Sequence, residues 1–194
     1  MSSPDTTAKL LPVSLLGLSG SLRSGSYNTL AIEAAQILSA DCSSTVDFTI
    51  GSIADLPLFN PDREDEHIPA LAQLKHLLDQ ADGLVIASPE YAHGISGPMK
   101  NALDWLVSGF EFHQIPIMLI NTSPRASHAQ DSLIEVLTTM SGTVIKEACV
   151  SIPLLGTDLD VKGVVEDSEI SNALIKGMNQ FCSTIEKIRQ GEVV

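Results

Sequence analysis

A doubly wound α/β fold is what this sequence predicts: a five-stranded parallel sheet with helices on both faces. Three observations predict it. Apolar runs recur along the chain, helical apolar patterns fill the intervals between them, and three of the runs are nearly continuous in apolar residues. Continuous runs mark strands covered on both faces, as in a parallel sheet, whereas half-exposed strands alternate. The order βαβαβαβαβα then argues one sheet with right-handed crossovers.

The runs are Val13 to Leu18, Val46 to Ile50, Leu84 to Ala87, Ile115 to Ile120 and Thr143 to Val150. The first, third and fourth are the continuous ones; the second is short and is interrupted by Asp47. Between them, Leu30, Ala34, Ile37 and Leu38 share one helical face, as do Leu71, Leu74, Leu78 and Ala81. Met99, Leu103 and Leu106 make a third stripe, and Ala129, Leu133, Val136, Leu137 and Met140 a fourth. Ile170, Leu174, Phe181, Ile185 and Ile188 make the last. Asn28 is expected to cap the first helix, and Gly97-Pro98 puts proline in a first turn, where its missing N–H costs nothing. No repeat or linker divides the chain. Residues 1–194 are therefore expected to form one domain, with the polar residues 1–10 frayed.

Composition narrows the function. The chain is 44% apolar and 18% charged, as globular proteins are, with 24 acidic against 11 basic residues and a formal net charge of −13. Such a surface repels nucleic acid and anionic membranes, so neither is an expected partner. Any phosphate must be held locally, by backbone N–H groups and a few chosen side chains. Cys42, Cys149 and Cys182 are odd in number and show no C-x-x-C spacing, which suits reduced thiols in a cytoplasmic protein. The N-terminus lacks a secretory pattern, and no apolar run approaches a membrane span. The five histidines stand at no metal-ligand spacing, so no metal is expected.

Doubly wound sheets bind ligands beyond the carboxyl ends of their strands, where strand order reverses. The loop after the first run reads Gly17 to Asn28 and is rich in glycine and hydroxyls. It ends at a helix N-terminus, where free N–H groups and the helix dipole favour an anion. Ser19, Ser21, Ser26 and Asn28 add donors, and Arg23 supplies the loop's positive charge. Two nucleotide signatures fail here. Gly20 and Gly25 have P-loop separation, but Ser26 stands where lysine belongs, and Ser19 and Leu22 replace two glycines of G-x-G-x-x-G. The alternative to a phosphate cradle is a polar turn.

The loop after the third run reads Ser88-Pro89-Glu90-Tyr91-Ala92-His93-Gly94, followed by Gly97-Pro98-Met99-Lys100-Asn101-Ala102-Leu103-Asp104-Trp105. Tyr91 offers a flat ring, and Gly94 and Gly97 let backbone approach a ligand. These two loops, with Leu56-Pro57-Leu58-Phe59-Asn60, resemble the NAD(P)H-dependent FMN reductase family, which includes quinone, azo-dye and chromate reductases. The resemblance runs from about Val13 to Ile185 and implies a flavodoxin-like sheet. It implies FMN with its phosphate at Ser21, Arg23, Ser26 and Asn28, with Ser19 and Tyr27 nearby. The isoalloxazine would lie along Pro89, Glu90, Tyr91 and Gly94, with Ser123 closing the other side. NADPH or NADH would be the electron donor and a small molecule the acceptor. The chemistry would be the flavin's, so no side chain is assigned a catalytic role. A homodimer or homotetramer is implied too, with Lys100, Asp104 and Trp105 at a subunit contact. Two departures bear on acceptor preference: Ala92-His93 where many members carry asparagine, and Asn121 to Ala126, including Pro124, where a glycine-rich loop is usual.

Two other readings follow from the same residues. A flavodoxin-like electron carrier would dock its acidic surface on a basic partner and never use NAD(P)H directly. A phosphate-ligand sensor would bind without redox chemistry. His93 is either a solvent-exposed loop histidine or a group that gates or protonates an acceptor.

Overall fold

The computed structural model describes residues 11–123 and 127–192. The frayed segment expected over residues 1–10 and the loop residues Pro124 to Ala126 lie outside the described residues. The chain runs β1 (Val13–Ser19), α1 (Tyr27–Leu38), β2 (Val46–Ile50), α2 (Pro69–Asp79), β3 (Gly83–Ala87), β4 (Glu90–Tyr91) and β5 (Gly94–Ile95). It continues α3 (Gly97–Leu106), β6 (Pro116–Asn121), α4 (His128–Thr139), β7 (Thr143–Val144), β8 (Val150–Ser151), α5 (Val161–Glu166) and α6 (Ser168–Arg189). The main sheet is parallel in the order β2-β1-β3-β6, with β7 and β8 both on the outer side of β6. This is the flavodoxin-like order, with its reversal between β1 and β3.

Alternation along the central strands divides the core. Leu15, Val85, Ala87, Met118 and Ile120 pack toward one layer, with α1 and α6. Leu16, Leu18, Leu84, Ile86, Ile117 and Leu119 pack toward the other, with α2, α3 and α4. Both faces are covered, which is why these strands read as unbroken apolar runs.

The fifth strand differs from expectation. Thr143 to Val150 is two short strands separated by a 3-10 turn at Lys146–Ala148. β7 pairs with the start of β6 and β8 with its end, Thr143 opposite Pro116 and Val150 opposite Ile120. Ile145 and Ala148 bury their side chains in the gap. There the Cys149 thiol accepts from the Leu119 N–H at 3.4 Å and donates to the Ile145 carbonyl at 3.5 Å. A short antiparallel hairpin, β4–β5, also interrupts the segment between β3 and α3.

Two caps and one aromatic correct the sequence reading. Ser26, not Asn28, caps α1: its Oγ accepts from the Asn28 N–H at 3.2 Å. The shorter side chain two residues earlier reaches the free Asn28 N–H, and Asn28 lies inside the first turn. α3 has its proline in the first turn and is capped by Ser96. Trp105 is 2% exposed and buried within its own chain, so it is not at a subunit surface. Its Nε1 donates to the Pro57 carbonyl at 2.8 Å and its ring meets Phe59 edge-on. Lys100 and Asp104 do pair on one face of α3. Among the described residues, no helix is long and apolar enough to cross a membrane.

The C-terminal helix closes the fold through two contacts. Asp82 accepts from the Ser14 N–H at 2.7 Å and pairs with Arg189. Gly177 brings α6 against β8. A Cβ at that position would sit 2.5 Å from Val150 Cγ1 and 2.8 Å from the Ala148 carbonyl oxygen. Gly177→Ala gains helix propensity of about 1 kcal/mol, but overpacking costs about 1–3 kcal/mol. The expected net effect is a loss of stability, read as a lower urea midpoint; an unchanged or higher midpoint would mean that α6 moves aside freely.

Candidate functional site

The carboxyl ends of β1 and β3 meet at the reversal of strand order. The Gly20 N–H donates to the Ala87 carbonyl at 2.7 Å, and Ser96 Oγ, 1% exposed, donates to the Gly20 carbonyl at 2.6 Å. A Cβ on Gly20 would collide with Ser88, so only glycine fits. The two loops picked out in the sequence are thereby joined to each other.

Beyond this junction lies a cleft of about 170 Å³. Ser21, Arg23, Ser26, Tyr27 and Asn28 line it from the first loop, and Pro89, Glu90 and Tyr91 from the second. Ser123 lines it from the end of β6. Nine of the eleven residues assigned from sequence thus share one cavity wall. Ser19 does not line it: its Oγ bonds Thr29 Oγ1 at 2.9 Å and accepts from the Ser21 N–H at 3.2 Å, shaping the loop from behind. Gly94 does not line it either, and lies in β5 opposite Tyr91.

Two further residues line it: Thr122, from the loop after the fourth run although not itself singled out, and Leu155, which had no signal in the sequence. The Thr122 carbonyl accepts from the Leu154 and Leu155 N–H groups, and Tyr27 Oη donates to the Thr157 carbonyl at 2.9 Å. These bonds carry the loop after β8 over the cleft. Leu155 and Tyr91 are each about half exposed there, giving the cleft apolar walls.

The donor-rich end of the cleft is well defined. α1 has no acidic residue in its first turn, so nothing opposes its positive N-terminal pole. Gly25 has φ +66°, a left-handed turn that delivers the chain to the Ser26 cap. Ser21 and Ser26 are buried, and each Oγ accepts one backbone N–H, from Arg23 and Asn28. Their hydroxyl protons remain available. Asn28 is 5% exposed and its Oδ1 accepts from Thr122 Oγ1 at 3.2 Å, which leaves Nδ2 as its donor. Arg23 makes no ion pair among the described residues.

Larger grooves lie elsewhere, about 750 Å³ between β8 and α6 and about 490 Å³ beside β2 and α2. Neither lies at the strand-order reversal or collects the N-terminal donors of α1. Chemistry, not size, marks the site.

Glu90 enters through its side chain. One carboxylate oxygen accepts from the Ala129 N–H of α4 at 2.9 Å, and the other meets His93 Nδ1 at 3.0 Å. The Ala129 N–H is the largest influence holding the Glu90 carboxyl below its ordinary range; burial opposes it and His93 assists. The hairpin turn places Ala92 at φ +50° and His93 at φ +60°, the left-handed region that asparagine tolerates better than alanine. Because the Glu90 pKa is lowered in the fold, its stabilising contribution is complete above the unfolded carboxylate value, roughly 4.3. It is lost as pH falls through the lower folded value. The stability difference between the wild type and Glu90→Gln, from urea unfolding, should therefore be full near pH 5 and shrink toward pH 3. A difference that persists undiminished to pH 3 would show that the charge is not what ties β4 to α4.

Comparison with known proteins identifies the family. The chain is 42% identical over 100 residues to a quinone reductase of Escherichia coli K12, covering 50% of each chain. It is 37% identical over 95 residues to an NAD(P)H:quinone oxidoreductase of Solanum tuberosum, covering 48% of this chain and 49% of that one. The chain thus spans about half the length of these curated relatives. Among solved structures, FerB, a flavoenzyme NAD(P)H:(acceptor) oxidoreductase of Paracoccus denitrificans, matches with TM-score 0.72 at 25% identity, covering 90% of this chain and 98% of that one. The family model described as NADPH-dependent FMN reductase matches residues 13–155, and the chain belongs to that family.

Proposed function

We propose that this chain holds FMN in the cleft between its first two loops and oxidises NADPH or NADH to reduce small acceptors. Free flavin, quinones, azo compounds and chromate are the acceptor classes. One observation carries the reading: a single cleft combines the donor-rich start of α1, an Arg23 with no ion pair among the described residues and the apolar walls Tyr91 and Leu155. That is the chemistry a flavin mononucleotide asks for, a dianion at one end and a flat ring at the other.

When bound, FMN supplies the two-electron chemistry that links NAD(P)H to the acceptor. The protein's part is to bind, orient and exclude. Ser21, Ser26, Asn28 Nδ2 and the first-turn N–H groups of α1 hold the phosphate, and Arg23 neutralises it. Pro89, Glu90 and Tyr91 line the ring's side, with Ser123 across from them. Ser19 acts behind the cradle, and Gly94 fixes the hairpin that carries Tyr91. The relatives' names are those of NAD(P)H oxidoreductases, which does not favour the electron-carrier reading.

The same reading places the protein in the cytoplasm, with its three cysteines as free thiols, and makes it a homodimer or homotetramer. Phe110 at 94% and Leu58 at 84% exposure, both beside α3, are apolar surface for a second copy to cover.

The deciding experiment is an anaerobic absorbance spectrum of the FMN-reconstituted chain before and after NADPH, then NADH. Bleaching of the flavin band by a nicotinamide and its return on adding a quinone is the expected result. Binding without bleaching would return the electron carrier to first place. Arg23→Ala should weaken FMN binding at least tenfold by fluorescence titration; unchanged affinity would remove Arg23 from the site.

A further inference from the structure

Reducing a quinone to its hydroquinone takes two electrons and two protons. NAD(P)H provides both electrons and one proton as a hydride equivalent. The second proton must come from an acid at the cleft or from water. Resting on the oxidoreductase reading above, we propose that His93 is that acid: a general acid beside the cleft, not itself a lining residue but on the hairpin whose Glu90 and Tyr91 line it, and oriented by Glu90 and His128.

The geometry carries the assignment. β4 brings Glu90 and Tyr91 to the cleft wall, and the turn that follows places His93 at the hairpin tip, where its side chain is 76% exposed. The Glu90 side chain is only 13% exposed and is anchored by the Ala129 N–H, so it is a fixed point. An ionised carboxylate only accepts hydrogen bonds, so His93 Nδ1 must be the donor across the 3.0 Å contact. The other nitrogen, Nε2, is then the position that binds and releases a proton. The His128 ring, the first residue of α4, meets the His93 ring edge-on at 4.5 Å between centroids. Among the described residues, the titratable groups in contact with His93 are Glu90 from its own hairpin and His128 from α4. This carboxylate–imidazole pair orients a ring and fixes its tautomer, which an exposed loop histidine with no task does not require.

The step balances. NAD(P)H gives up two electrons and one proton as a hydride equivalent, the acceptor's carbonyl oxygen takes the second proton from Nε2 of the doubly protonated His93, which is left as the neutral Nδ1–H tautomer, and NAD(P)⁺ and hydroquinone leave. Water then reprotonates Nε2.

Two measurements test it. The first needs neither cofactor nor turnover: ¹⁵N NMR of the imidazoles in the chain itself. Neutral His93 should appear as the Nδ1–H tautomer and lose that preference in Glu90→Gln. An Nε2–H tautomer in the wild type overturns the proposal. The second compares a quinone, which needs a proton, with ferricyanide, which takes electrons alone. In His93→Gln the ratio of quinone to ferricyanide turnover should fall at least tenfold, and the pH dependence of that ratio should flatten. An unaltered ratio in a variant that still oxidises NAD(P)H overturns the role of His93 alone. Failure of the wild type to oxidise NAD(P)H at all overturns the oxidoreductase reading and this inference with it.

Discussion

The close approach of Gly20 to the end of β3 is the constraint on which the rest of the site depends. Its N–H bonds Ala87, its carbonyl accepts from Ser96, and Ser96 also caps α3 through the Met99 N–H. One buried node therefore sets three things at once: where the first loop leaves β1, where the second loop leaves β3, and where α3 begins. At a reversal of order the connections leave two paired strands toward opposite faces of the sheet, and without this node the two loops would be separate surface turns. With it they are two sides of one cleft. The cost of a Cβ at Gly20 is borne at the junction itself, so the residue type follows from geometry and not from flexibility.

An acidic protein that binds a phosphate needs the anion site insulated from its own charge. The structure achieves this with fixed dipoles. α1 starts without an acid, Ser26 caps it with a neutral hydroxyl, and Arg23 contributes a full charge. Among the described residues Glu90 is the one carboxylate on the cleft wall, and both of its oxygens are engaged, by the Ala129 N–H and by His93. Its charge is therefore directed toward the α4 N-terminus and an imidazole. The same carboxylate meets the His93 ring on the hairpin beside the cleft.

Much of this was legible in the sequence, for a physical reason. Runs such as Leu84 to Ala87 and Ile115 to Ile120 are buried on both faces, so their composition alone reports their place. The two loops could be found because anion binding at a helix start demands glycine and short hydroxyls within a few residues. What stayed hidden is set by longer range. Trp105 is amphipathic, and its inward place depends on partners far off in the chain, the Pro57 carbonyl and the Phe59 ring. Ser26 and Asn28 are both good caps, and the choice between them rests on which side chain reaches the free N–H.

The third wall of the cleft shows most clearly why sequence runs out. Leu155 has no motif and lies more than sixty residues beyond Tyr91 in the chain. It reaches the cleft because the edge strand is broken. A continuous strand from Thr143 would have carried one register along β6. The 3-10 turn at Lys146–Ala148 resets the chain, so that Val150 pairs with Ile120 at the carboxyl end and the Ile152 N–H bonds the Asn121 carbonyl. From there Leu154 and Leu155 can reach the Thr122 carbonyl, and Tyr27 can hold Thr157. The break is possible because the Cys149 thiol accepts the Leu119 N–H in the gap, a weak partner that burial makes sufficient. Burial also pushes that thiol up, away from reactive thiolate, so Cys149 serves packing and hydrogen bonding and not redox chemistry. An irregularity at the sheet edge, invisible to periodicity, thus delivers the apolar face on which a flat ligand can rest.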